Sequence, residues 1–178
     1  SVRDFTPVTL IAASPLILVV HPSLPVKSVK DLVALAKRRP DEISHGSSGN
    51  GTIVHLAAEM LKSMAAIRMV HVPYKGSPQA VAGLLSGEVA VSFATLPPAL
   101  PMVAAGRLRA LGVTTPQRSG AAPEVPTMKE AGLKDFELVL YSGILAPRGA
   151  PRVVVDRLNA EFGKAVRLPD IQKIYNNV

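Results

Sequence analysis

The sequence predicts an α/β fold built on a parallel sheet, and three observations carry that expectation. Between Leu16 and Thr114, five apolar, β-favouring runs alternate with four segments of helical spacing. Capping residues and glycine stops punctuate the alternation. Apolar residues make up 48% of the chain and charged residues 19%, which supplies a core and excludes general disorder. Strands joined through helices run parallel with right-handed crossovers. A length of 178 residues suits one ordinary domain, or one complete domain plus part of another.

Residues 8–20 read as extended, with Pro15 expected to break the strand or demote it to an edge. A loop from His21 to Pro25 follows, and His21 is assigned to the surface. Ser28 and Asp31 have capping-box spacing ahead of a helix whose inner face carries Val29, Leu32, Val33 and Ala36 and which Pro40 ends. Ile43 starts a short strand, residues 52–65 form an amphipathic helix, and residues 68–72 form the next strand. Ser77 and Pro78 then open a helix that Gly87 closes. Residues 89–93 are a strand, 97–105 a short helix, and 108–114 another strand. The Pro-, Gly- and Ala-rich residues 116–126 read as a connection leaving this domain. Beyond it, Thr127 and Glu130 are expected to cap a short helix ending at Gly132, and residues 136–145 to be extended. Pro151 opens a strongly amphipathic helix bearing Val154, Val155, Leu158, Phe162 and Val166. A helical tail covers 170–178. These last elements are too few for a self-contained α/β domain.

Within this frame the stretch Ser44-His45-Gly46-Ser47-Ser48-Gly49-Asn50-Gly51-Thr52 is the candidate site, because a strand runs into it and a helix leaves it. Its glycines let backbone N–H groups approach a ligand, while Ser47, Ser48, Asn50 and Thr52 offer short polar side chains. The helix start adds unpaired N–H groups and partial positive charge, a combination suited to an anion. Gly46 and Gly51 have Walker A spacing, but Thr52 stands where the Lys belongs, and no third glycine completes a dinucleotide fingerprint. A carboxylate is the better fit, against the alternative of a plain glycine-rich connection. Tyr74, Lys75 and Gly76 repeat the strand-to-helix geometry, and Thr95 follows the next strand. On a parallel sheet all three loops share the carboxyl edge where such folds bind ligands. Tyr74 is assigned as a donor to a bound oxygen and Lys75 as a source of charge, against a simple turn with a solvated lysine. His55 is assigned first to hydrogen-bonded packing and second to the ligand.

Composition narrows the chemistry. Aromatics are 4% and Trp is absent, which disfavours stacking platforms for nucleic acid. The net charge of +7 is dispersed, and its densest run, Lys37-Arg38-Arg39, sits at a helix end where cations offset the dipole. No nucleic-acid partner is expected. Without cysteine there is no disulfide or thiol chemistry, and the four histidines lack metal-ligand spacing, so no metal or cofactor is expected. No apolar run approaches the ~20 residues of a membrane span. No serine in residues 16–114 has a sequence-adjacent base and acid, and catalysis is not indicated.

Several motifs together resemble the Bug-type periplasmic solute-binding receptors of tripartite tricarboxylate transporters. They are residues 43–52 with His55-Leu56-Ala57-Ala58-Glu59, then Val72-Pro73-Tyr74-Lys75-Gly76, Leu96-Pro97-Pro98-Ala99-Leu100-Pro101, Gly106-Arg107-Leu108-Arg109-Ala110-Leu111 and Val155-Asp156-Arg157-Leu158-Asn159. The resemblance implies the type II periplasmic-binding-protein architecture of two α/β lobes, with a small organic carboxylate in the cleft. It implies periplasmic localisation, membrane transporter subunits or a signalling partner, and no cofactor. Residues 46–52, 73–76 and Thr95 would wall the cleft, with Tyr141 near a returning crossover. Relatives have a signal peptide and a long N-terminal part, so residues 16–114 would be a nearly complete second lobe. Residues 1–15 and 115–178 would be crossovers and a remnant of the first lobe, with self-association of the exposed lobe face expected. Many relatives carry an acid where this chain has Ala94, which argues against a ligand ammonium group. The rival readings are an effector-sensing domain of a transcription regulator and an enzyme for a phosphorylated substrate.

Overall fold

The computed structural model describes residues 2–176, with side chains described over 3–172, so the end of the expected 170–178 tail lies outside the described residues. Contacts divide the chain into two units, Ser1–Ser14 with Leu140–Val178, and Pro15–Val139. In the larger unit the order is the second half of β1 (Phe5–Val20), α1 (Val29–Arg38), β2 (Ser44–Ser47), α2 (Ile53–Ala65), β3 (Val70–Pro73), α3 (Ser77–Ser86), β4 (Val91–Thr95), α4 (Leu96–Ala104) and β5 (Arg109–Val113).

The run from Leu16 to Val20 explains the layering. All five side chains are fully buried, as a strand covered on both faces requires. Leu16, Leu18 and Val20 join a core with Leu32 and Leu35 of α1 and Ala57 and Leu61 of α2. Ile17 and Val19 face the other way, toward Leu84 of α3 and Leu96 and Ala99 of α4. The sheet therefore lies between two helical layers.

Strand order is β3-β2-β4-β1-β5, with β2 parallel to both β3 and β4. The sheet is mixed rather than fully parallel, because β1 runs antiparallel to β4 and β5. Alternation of strand and helix reports a helix between two strands but not the edge at which the chain re-enters. Residues 21–43 leave and return at the same edge, where the His21 N–H donates to Ala90 O (2.9 Å) and the Ala90 N–H to Ser44 O (3.1 Å). Pro15 does not stop β1. It precedes the segment paired with β4 and β5, whose registers begin at Leu16 and Ile17, so neither of those ladders needs its missing N–H.

The Ser28 cap forms as expected, accepting from Asp31 N at 3.1 Å. The Thr127–Glu130 box also forms, with bonds of 2.8 and 3.0 Å, but it closes a turn and no helix follows. Residues 115–139 pack in the larger unit instead of leaving it. Met128 and Phe136 are buried in its core, and Val113 bridges to Thr127. In the smaller unit, β6 (Val139–Pro147) pairs with β1, followed by α5 (Arg152–Ala165) and α6 (Pro169–Asn176). The expected apolar face of α5 is only partly covered: Val155 packs with Val8 and Ala146, while Val154 and Leu158 remain exposed. No helix among the described residues is long and apolar enough to cross a membrane.

Tyr74 wedges between sheet and helix, and that contact yields a test. A Cβ on Gly83 would lie 2.2 Å from the Tyr74 hydroxyl oxygen and 2.6 Å from its ring Cζ. Gly83→Ala is expected to lower unfolding free energy in urea by roughly 1–3 kcal/mol, with most of the loss recovered when Tyr74→Leu is added. A double variant no more stable than Gly83→Ala would contradict this packing.

Candidate functional site

Because β2, β3 and β4 are parallel neighbours or flank one another, their carboxyl ends share one edge, and α2, α3 and α4 all start there. A small cavity of about 30 Å³ lies among these starts, with Ser48, Ser77, Ser92 and Thr95 as its polar lining and Val54 and Ala94 among its apolar lining. That volume holds about one water. No side chain lining it is charged.

The candidate stretch is divided by the fold. Ser44–Ser47 are strand rather than loop, so only residues 48–52 form the connection. Gly46 serves packing: a Cβ there would approach Val89 Cγ2 to 3.0 Å and the Tyr74 ring to 3.2 Å. Ser47 is fully buried, and its hydroxyl is 2.7 Å from His71 Nε2. Gly49 and Gly51 take φ of +126° and +74°, the region that favours glycine. Their N–H groups do not point at the cavity. Gly49 N–H donates to Ser47 Oγ (3.2 Å), Gly51 N–H to His55 Nδ1 (3.1 Å), and the Thr52 hydroxyl to Gly49 O (2.7 Å). Asn50 is exposed. Of the eleven primary candidates, Ser48 and Thr95 line the cavity.

Tyr74 turns away from the cavity into the core beneath α3, where burial and the neighbouring Glu88 push its pKa up. Its backbone N–H donates to Ser47 O at 2.9 Å and ties the two loops together. The Lys75 side chain is exposed, and Gly76 caps α3. Tyr141 belongs to the other unit and is exposed. Ser77 and Ser92 were not singled out. Ser77 was recoverable, since a first helical residue after the second strand must sit on the same edge as Ser48, whereas nothing in the linear pattern marks Ser92.

What remains for an anion is specific. The first α2 amide bonded backward is Leu56, to Thr52 O, so the N–H groups of residues 53–55 have no partner among the described residues. In α3 the first is Ala80, to Gly76 O, which leaves Ser77 and Gln79. α4 brings fewer donors because Pro97 and Pro98 have no N–H. The Ser48, Ser77 and Thr95 hydroxyls make no hydrogen bond among the described residues, whereas Ser92 Oγ lies 3.0 Å from Gly46 O and 2.9 Å from Phe93 O.

Behind the loop, His45 stacks on His71, and His71 stacks on His55. Burial, then the neighbouring His71 and Lys62, push His45 down to about 4. His71 is lowered by burial and by His55. Burial opposes it, but the Lys62 ammonium at 2.8 Å holds Glu59 below its usual range. No group of three or more His, Asp or Glu among the described residues has metal-holding geometry.

Residues 1–178 match the profile of the "Tripartite tricarboxylate transporter family receptor" family. Protein BugT of Bordetella pertussis is 36% identical over 167 residues, covering 93% of this chain and 51% of BugT. Among solved structures, R. palustris Rpa4515 with adipate superimposes with TM-score 0.89 at 37% identity, over 97% of this chain and 58% of that one. MatC from Rhodopseudomonas palustris with bound malate gives 0.91 at 27% identity, over 98% and 59%. The chain spans about half the length of the curated relatives it matches.

Two measurements test this geometry. A Cβ at Gly51 meets nothing within 4 Å, so Gly51→Ala is expected to cost only the left-handed backbone, roughly 1–2 kcal/mol in chemical unfolding. A larger loss would mean that something packs there. His45 is also a pH probe. Between its ordinary value of 6.5 and about 4, the unfolded chain takes up a proton that the folded site refuses. Stability is therefore expected to be unaffected by His45 above pH 6.5 and to fall on acidification by on the order of 3 kcal/mol, a slope that His45→Phe reduces. An unchanged slope in that variant would contradict the burial of a neutral imidazole.

Proposed function

Since the chain belongs to the tripartite tricarboxylate transporter family of receptors, we propose that the whole protein is a periplasmic solute-binding receptor. It captures a small organic mono-, di- or tricarboxylate and presents it to membrane transporter subunits. The observation that carries this reading is the cavity at the shared helix starts, where unpaired N–H groups and three uncommitted hydroxyls converge without a charged side chain. A carboxylate there is met by amide dipoles and short hydrogen bonds. Adipate and malate, named with two structural relatives, are both dicarboxylates.

Ser48, Ser77 and Thr95 are the proposed ligand-binding side chains, assisted by backbone N–H groups at the starts of α2 and α3. Gly49, Gly51, Thr52 and Gly76 act by shaping the two loops. Ala94 on the lining leaves a ligand ammonium group no acidic partner, which favours acids that lack an amine. The site binds without reacting: the cavity serines have no imidazole bonded to them. The Ser47–His71 pair has Ser47 fully buried and is no accessible nucleophile.

Calorimetric titration with adipate and malate at neutral pH, on the protein with all the sequence that accompanies this segment, tests the proposal. Thr95 makes no side-chain cap bond to α4, so Thr95→Val is expected to keep the fold and weaken carboxylate binding roughly tenfold. Ser77→Val is expected to do the same, whereas Lys75→Ala leaves affinity within about twofold. Carboxylate binding insensitive to both hydroxyl deletions, or lost with Lys75, would overturn the site.

A further inference from the structure

The loop over the cavity is tied from behind by a column of imidazoles that ligand capture alone does not call for. His45 of β2 is fully buried and stacks on His71 of β3, with ring centroids 4.9 Å apart and planes inclined by 17°. His71 stacks in turn on His55, in the first turn of α2, at 4.2 Å and 22°. Parallel pairing of β2 and β3 sets His45 opposite His71 and so builds the column.

Two of these rings reach the loop. His55 Nδ1 accepts the Gly51 N–H at 3.1 Å, which requires the ring to be neutral with its proton on Nε2, 3.7 Å from Glu59 Oε1. His71 Nε2 is 2.7 Å from Ser47 Oγ, and the same oxygen takes the Gly49 N–H at 3.2 Å. Gly49 and Gly51 are the two loop residues with left-handed φ, so the imidazoles fasten the loop where its backbone is most unusual.

We propose that His55 and His71 are positioning residues that hold residues 48–52 in their ligand-ready shape, His55 directly through the Gly51 N–H and His71 through Ser47. This rests on the carboxylate reading of the cavity. Without an acceptor at the position of His55 Nδ1, the Gly51 N–H is left without its partner. His45 and His71 resist protonation because they are buried, so they serve as neutral packing behind His55.

Isosteric replacement separates positioning from bulk. Asn places its side-chain oxygen where Nδ1 stood, and Gln places its amide where Nε2 stood. His55→Asn is therefore expected to keep the Gly51 amide proton shift and its slow exchange, and to hold adipate affinity within about threefold at neutral pH. His55→Gln is expected to speed Gly51 exchange roughly tenfold and to weaken adipate by a similar factor. For Gly49 the pattern reverses, with His71→Gln conservative and His71→Asn disruptive. Equal behaviour of the Asn and Gln variants at each site, or a Gly51 amide indifferent to replacement of His55, overturns the proposal. A protein whose Gly51 amide responds as described but which binds no adipate or malate at any pH leaves the positioning intact and refutes the carboxylate reading instead.

Discussion

An anion held among uncharged side chains has to be met by dipoles, and backbone dipoles are available only where secondary structure leaves N–H groups unpaired. That constraint selects the proposed site in this fold. Parallel β2, β3 and β4 bring three helix starts to one edge, and the cavity lies among them. The two glycines of the loop, Gly49 and Gly51, do not add to the donors. Their N–H groups are consumed by Ser47 and His55, and the conformations that only glycine adopts easily serve to swing Ser48 and the α2 start into place.

The same constraint gives β1 its importance. A five-residue run with every side chain buried can exist only between two layers, and it holds α1 and α2 on one face and α3 and α4 on the other. The helix starts rest on a sheet whose central strands, β2, β4 and residues 16–20 of β1, are largely buried. Tyr74 braces the second loop: its ring fills the space against Gly46 and Gly83, and its N–H ties β3 to the end of β2. A residue expected at the ligand thus supports the site from within the core.

Much of this was legible in the chain. The Leu16–Val20 run, the Ser28 cap and the alternation of strands with helices point to the layered sheet, and the glycine-rich connection lies at the sheet edge where the cavity is found. The direction of β1 was hidden because a helix between strands is compatible with either edge of re-entry. The Thr127–Glu130 box shows a local signal that is honoured without its usual sequel, since Gly132 follows too soon for a helix to propagate. The histidine column was hidden for another reason. Positions 45, 55 and 71 share no period, and they meet only through strand register and the docking of α2. Which amides are free and which are spent is likewise a property of the folded backbone, not of composition.

The measurement that bears most directly on this account is a liganded structure of the protein with all its accompanying sequence, bound to a dicarboxylate such as adipate. The account predicts a carboxylate within hydrogen-bonding distance of N–H groups at the starts of α2 and α3 and of the Ser77 or Thr95 hydroxyl, with Gly49 and Gly51 still bonded to Ser47 and His55. A carboxylate seated on the Gly49 and Gly51 amides, or paired with the Lys75 ammonium, would contradict it.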